Sequence, residues 1–265
     1  MSAADGPVFN LSGASAVPFS RLFRVELRKS ADTRASRWLI GLTVGAALVA
    51  AAIFSTVAAA KSLDSSYADF VAAAAFPSLI LLPVLGVLTI TSEWSQRTAM
   101  LTFTLEPSRI RVVCAKLVGL LILAVLAWAI TLALGAIAYL LYGAFSGHDV
   151  TWASAGKLTL TYLVNDVVAM VGGFALGALF LNSPAGIVVY FVYSLVLPVP
   201  FAIGAALMTW FRHLRPWIDL AWAQGPLTDG SITGTQWAHL LTSGLVWVGL
   251  PLAIGTWRIR HTEVK

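Results

Sequence analysis

Apolar residues fill this chain in long runs, and the polar positions fall mostly between them. Six stretches reach the roughly 20 mostly apolar residues that a membrane-crossing helix needs. They cover residues 38–60, 70–91, 117–141, 158–181, 185–211 and 238–257. The pattern predicts an all-α, polytopic membrane protein. Residues 38–257 form a six-helix transmembrane domain, led by a segment of 1–37 and followed by a tail of 258–265. The fifth run holds Pro198 and Pro200, which remove backbone donors and kink or break a helix. Its second part is expected either to continue the span or to turn into a re-entrant or interfacial segment.

The segments between the runs carry patterns of their own. Phe19, Leu22, Phe23 and Leu27 recur on one helical face, with Arg21, Arg24, Arg28 and Lys29 mostly off it. A basic amphipathic helix beside a membrane lies in the interface. It reads either as an anchor on anionic lipid or as a surface that also touches a partner. Residues 1–16, rich in Ala, Ser and Gly, are expected to be disordered. The leading segment has no apolar core of signal-peptide length, so the first span is expected to act as an uncleaved anchor.

The Ser92–Lys116 connection is the longest on its side. Pro107 suits a first helical turn, and Ile110, Val113, Cys114 and Leu117 repeat at helical spacing into the third span. Leu101, Phe103 and Leu105 alternate with Thr102 and Thr104, which predicts a short extended piece. Asn182–Pro184 predicts a tight helical hairpin. Trp217, Trp222 and Trp237, in the connection before the sixth span, predict short helices at the lipid–water boundary.

Composition supports this picture. Of 265 residues, 58% are apolar and 11% charged, against about 25% charged in a soluble domain. A globular surface needs more charge than that. Thirteen of the 17 basic residues fall on one side of the bundle. They are Arg21, Arg24, Arg28, Lys29, Arg34 and Arg37, then Arg97, Arg109, Arg111 and Lys116, then Arg258, Arg260 and Lys265. Lys61, Lys157, Arg212 and Arg215 fall on the other side. The positive-inside rule then makes both termini cytoplasmic, which an even number of spans requires. The single cysteine, Cys114, allows no intramolecular disulfide.

Candidate chemistry is sparse. Asp166, beside Asn165 in the fourth run, is the one acid well inside a span, where insertion costs roughly 2.5–3.5 kcal/mol. It reads as a polar contact lining a path, as a structural hydrogen bond, or as a residue near the outer interface. No metal-ligand spacing, phosphate loop or nucleophile elbow is present, so no residue is assigned to catalysis. Any nucleotide chemistry belongs to another chain. Pro77 and Pro83 in the second run, and Pro198 and Pro200 in the fifth, accompany Phe70, Phe76, Tyr190, Phe191 and Tyr193. Interrupted helices with aromatics suit a greasy cavity, or else ordinary packing. Gly41/Gly45 and Gly173/Gly177 fit the close-contact spacing, either within one bundle or between chains.

A more specific pattern follows the second span: Glu93, Thr98, Pro107, Arg109 and Arg111, then Lys116-Leu117 opening the third. With the entry segment Arg24–Arg34 and the closing Pro251, Gly255, Arg258 and Glu263, it resembles the permease subunits of ABC exporters of the second type. That family shares the fold of the human G-subfamily exporters. Many relatives have Gly where this chain has Arg97.

The resemblance implies a multi-pass protein of the plasma (inner) membrane. It would pair with a second permease chain, identical or related, and with two cytoplasmic ABC ATPase subunits that hold ATP and magnesium. The chain itself would bind no cofactor, metal or nucleic acid, and would contact membrane lipid. The loop would couple to the ATPase through Glu93, Trp94, Arg97, Thr98, Glu106, Pro107, Arg109 and Arg111, beside the interface helix. The translocation path would be lined from spans two and five by Phe76, Pro77, Pro83, Tyr190, Tyr193, Pro198 and Pro200. Two other classes remain open: an ion-coupled secondary transporter or channel using Asp166, and a non-transporting membrane scaffold.

Overall fold

The structure, a computed structural model, describes residues 17–96, 98–152, 155–228 and 232–262. Six helical segments are long and apolar enough to cross a membrane: Arg34–Ala60, Tyr67–Ser95, Arg109–Ser146, Leu160–Phe180, Ser183–Leu207 and Gly234–His261. Among the described residues there is no strand. Exposed apolar side chains, such as Leu48 and Ile53 in the first span and Val199 and Ile203 in the fifth, surround the bundle. A helix apolar on its outward face needs a lipid environment rather than water. The protein is therefore a multi-pass, all-helical membrane protein.

Each boundary has a local cause. Helix α1 (Phe19–Asp32) ends where Thr33 becomes extended, and the Thr33 side chain caps α2 (Arg34–Ala60) by accepting from the Ser36 amide. Helix α3 (Tyr67–Ser95) opens on a capping box made by Ser66 and Asp69, and runs unbroken through Pro77 and Pro83. Helix α4 (Ala99–Leu105) occupies the stretch where alternation predicted an extended piece. Thr102 and Phe103 reach back to α3 there, and these tertiary contacts override a short five-residue alternation. Helix α5 (Arg109–Ser146) starts just after Pro107, with Ser108 at its cap, and is continuous into the third span as its spacing predicts. At about 1.5 Å per residue its 38 residues exceed the roughly 30 Å hydrocarbon core, so part of it projects beyond the membrane.

The most extensive helix pair is α3 with α6 (Ala155–Phe180). Glycines make it possible: a Cβ on Gly173 would run into the Pro83 carbonyl, and one on Gly177 would meet Ile90 Cγ2 at 2.6 Å. The small-residue spacing in the fourth span thus serves contact within the bundle, whereas Gly41 and Gly45 face open space. Leu181, at φ 52°, ends the fourth span, and the Asn182 side chain caps α7 (Ser183–Phe191), giving the predicted hairpin.

The fifth span is continuous past Pro198. A π-helical turn, Val192–Val196, lies between α7 and α8 (Pro198–Leu207), with the Leu197 amide bonding back to the Val192 carbonyl. The widened turn brings the chain to Pro198, which has no amide to donate, without breaking the helix. The span ends at Leu207 rather than at 211, because Met208 is extended and α9 (Thr209–Ile218) turns back on α8. The Arg212 guanidinium donates to the Ala205 carbonyl at that corner. Helix α10 (Leu220–Thr228) packs on α6, and Leu220 and Leu227 share a buried cluster with Leu240. The sixth span joins α11 (Gly234–Gly244) to α12 (Leu250–His261) through a second π-helical turn, Leu245–Gly249, again just before a proline, Pro251.

Candidate functional site

One end of the bundle gathers α1, α4, the start of α5 and the end of α12. Helix α1 lies against α5 with Leu22, Glu26 and Ser30 buried, Phe23 and Leu27 half-buried, and Phe19 exposed. Glu26 stands one turn from Leu22 on the inward face and is 1% exposed. Its Oε2 accepts from Lys116 Nζ of α5 at 2.6 Å, and its Oε1 accepts from Lys29 Nζ at 2.8 Å. The two ammonium groups also approach Glu93 Oε1, at the end of α3, at 3.3 Å and 3.4 Å. Thr102 Oγ1 of α4 donates to that same oxygen at 3.0 Å. Two carboxylates and two ammoniums thus form a neutral cluster joining α1, α3 and α5, and Thr102 ties it to α4. Glu93 Oε2 is buried without a partner, beside a polar cavity of about 410 Å³ lined by Ser30, Thr33, Ser36, Thr89, Ser92 and Thr98.

The cluster sets its own pH window. Burial opposes the charged carboxylate of Glu26, but Lys116 and then Lys29 outweigh it and hold the group below its ordinary 4.5. Burial likewise opposes the Lys29 ammonium, but Glu26 and Glu93 hold it above its ordinary 10.5. The depressed carboxylate contributes stability above its unfolded pKa and loses it as pH falls through the folded value. The raised ammonium contributes below its unfolded pKa and loses it as pH rises through the folded value. Protection of α1 from proteolysis in the membrane-embedded chain should therefore be flat from about pH 4.5 to 10.5 and fall on both sides. A titration within that window would contradict the cluster.

Charged groups beyond the cluster tie the same end together. Arg111 donates to Glu106 Oε2 at 2.8 Å and to the Val17 carbonyl at 2.6 Å. Arg109 donates to the Ile259 and Thr262 carbonyls, both at 2.6 Å, and lies over the Phe103 ring at 5.0 Å. The two ends of the described chain therefore sit side by side. Trp94 packs edge-on against Phe103 at 6.0 Å. Of the residues expected to couple to an ATPase, Glu93 and Glu106 are buried, and Trp94, Arg109 and Arg111 are partly buried and engaged within the chain. Thr98 and Pro107 are exposed, and Arg97 lies outside the described residues. The large apolar groups that α4 presents outward, beside the exposed Thr104, are Met100 and Leu101, both more than half exposed.

Sequence reasoning missed Glu26, and it read Lys29 as part of the polar face of the interface helix and Lys116 as a topological charge and a motif position, neither as a partner in an ion cluster. The available signal was an acid one turn from Leu22 on an otherwise apolar face.

A second feature lies within the bundle. Phe76, Leu79 and Ile80 of α3, Asn165 and Ala169 of α6, Tyr190 of α7, Tyr193 and Ser194 of the first π-turn, and Ala221 and Gln224 of α10 line a cavity of about 270 Å³. Three path residues expected from sequence, Phe76, Tyr190 and Tyr193, meet there. Pro77 is buried in α3, Pro83 packs on Gly173, and Pro198 and Pro200 lie on the other side of the π-turn, off this cavity. The Tyr193 ring stacks on Trp247 of the second π-turn at 4.7 Å, and Trp247 Nε1 donates to the Ile218 carbonyl. Gln224 donates to Asn165 Oδ1 at 3.1 Å. Asp166 is 2% exposed and has no hydrogen-bond or ion-pair partner among the described residues.

No grouping of three or more His, Cys, Asp or Glu side chains among the described residues is placed to hold a metal ion. The chain matches no protein-family model and no curated protein.

Proposed function

We propose that this chain is the membrane-spanning permease subunit of an ATP-driven ABC exporter of the inner membrane, with both termini cytoplasmic. Separate ATPase subunits would carry ATP and magnesium, and a second permease chain would complete the pore. The observation that carries this reading is the mounting of α4. Its outward side offers Met100 and Leu101, while Thr102 and Phe103 fix its inward side to α3. The buried cluster then joins α3 to α1 and α5. A partner pushing on α4 would move the feet of the second and third spans together, which converts closure of an ATPase dimer into helix tilting. Arg21, Arg24 and Arg28, exposed on α1 and without ion-pair partners among the described residues, suit anionic lipid headgroups, and the basic end suits the cytoplasm.

The test is co-purification with a co-expressed candidate ABC ATPase, followed by ATPase assay of the reconstituted complex. Met100→Asp with Leu101→Asp should lower ATPase recovery at least about tenfold, because two desolvated apolar contacts become charged. Stable isolation alone, with full activity and no ATPase required, would count against the proposal.

The buried Asp166, with no partner among the described residues, favours a second reading, an ion-coupled transporter. There, Asp166→Asn would abolish transport driven by an ion gradient. The exporter reading predicts no such gradient dependence.

A further inference from the structure

Several hydroxyls in this bundle are satisfied by their own helix, and Ser194 is not. Thr43, Ser55, Thr89 and Thr91 each donate to the carbonyl four residues earlier, within 2.8–2.9 Å. That is the standard way a hydroxyl is satisfied inside an apolar helix. Ser194 sits in the widened turn Val192–Val196, where that geometry is lost, and its buried Oγ has no partner among the described residues. An unpaired buried polar group is costly, more so away from water. The orphan hydroxyl stands in the wall of the 270 Å³ cavity described above.

The other walls define what could pair with it. They are aromatic and aliphatic, and among the described residues the other polar groups are the Asn165–Gln224 amide pair and the hydroxyls of Tyr190 and Tyr193. No charged side chain lines the cavity among the described residues. Phe76 and Leu195 are both more than half exposed, and Ala221 is exposed, so the cavity is reached from the apolar surroundings of the bundle. A few placed polar groups in a mostly apolar pocket orient a ligand.

We propose that this cavity binds a neutral, largely apolar molecule carrying one hydroxyl or carbonyl, held by a hydrogen bond to Ser194 Oγ. In taking that molecule for cargo, the inference rests on the transport reading, but binding itself requires no ATPase. The π-turn is then a specificity device. It frees a hydroxyl at the point where an apolar ligand presents its polar atom, and a purely apolar lipid tail leaves it unpaired.

The experiment uses the full chain in lipid nanodiscs with radiolabelled 1-naphthol as the probe, subtracting uptake by protein-free nanodiscs. Unlabelled 1-naphthol and 1-methylnaphthalene, close in shape, serve as competitors. Saturable binding is expected, with 1-methylnaphthalene competing about three- to tenfold more weakly. Ser194→Ala should weaken 1-naphthol by a similar factor and leave 1-methylnaphthalene unchanged. Ala221→Phe, at the exposed rim, should remove saturable binding of both and provides a second variant should Ser194→Ala fail to fold.

Absence of saturable binding, equal competition by the two compounds, or indifference to both variants would overturn the assignment. Because the readout needs only this chain, such a failure leaves ATPase association untouched, and loss of that association leaves naphthol binding untouched.

Discussion

Replacing Lys116 with alanine should release α1 from the bundle and lower the thermal midpoint of the chain by several degrees. Lys116 Nζ is the only ammonium fully inside the cluster, with its side chain 3% exposed, whereas that of Lys29 is 46% exposed. Without it, Glu26 and Glu93 share one solvent-facing partner while both stay buried. Removing one member of a buried ion pair costs about 3–5 kcal/mol, because the remaining charge has no compensation. The structure can relieve that cost by undocking α1, which carries Glu26. Trypsin should then cut faster at Arg24 and Arg28, both exposed on α1.

The pH response should reverse sign. In the wild type, acid weakens the cluster. In the variant, a buried carboxylate without its ammonium is raised above its unfolded pKa, so lowering the pH neutralises it and restores docking. Lys116→Met combined with Glu26→Gln, which removes both charges, should recover much of the loss. A Lys116→Ala protein with wild-type proteolysis and midpoint would show that the cluster does not hold α1.

The contrast between what the sequence made legible and what it hid follows from range and periodicity. The six spans were legible because each depends on a continuous run of some 20 apolar residues, a local property. The continuation of α5 into the third span was legible through Ile110, Val113 and Leu117. The ion cluster was not, because Glu26 and Lys116 are 90 residues apart and nothing local announces that they meet. Charge counting places a lysine on a side of the membrane and says nothing of its partner. The helix at Ala99–Leu105 was misread because a single five-residue alternation is outweighed by contacts to α3 that the local pattern does not show. Pro198 signalled a disturbance in the fifth span, but a proline alone does not distinguish a break from a π-turn. Only the turn geometry reveals that Ser194 lacks a partner among the described residues and stands beside Tyr193 and Asn165.

Gly173→Val should be the most damaging single change inside the membrane. The contact of α6 with α3 is backbone against backbone. A Cβ on Gly173 would strike the Pro83 carbonyl, with Pro83 C at 2.8 Å and Cα at 3.0 Å, and one on Gly86 would strike the Met170 carbonyl and meet the Phe174 amide nitrogen at 2.9 Å. No side chain at Pro83 can swing aside, since the atoms struck are main chain. Overpacking a tight core typically costs 1–3 kcal/mol, and a clash with fixed backbone lies at or above the top of that range. Without a hydrophobic driving force between helices in lipid, such close packing is what joins them.

Gly45→Val is the matched control, because a Cβ there meets nothing. Thermal unfolding in detergent should show Gly45→Val near wild type, Gly173→Ala clearly lowered, and Gly173→Val lowest or unfolded. Equal midpoints for the valine variants would mean that α3 and α6 do not pack as closely as described. The result bears on mechanism as well as stability. Helix α3 holds Glu93 at one end and Phe76, Leu79 and Ile80 on the aromatic cavity toward the other. If α6 is locked to it through glycines, the pair moves as one rod, and displacement at α4 reaches the cavity wall undiminished. On the exporter proposal, Gly173→Ala, which strains that lock without abolishing it, should therefore weaken the effect of ATP on 1-naphthol binding in a complex with an ATPase more than it weakens binding to the chain alone.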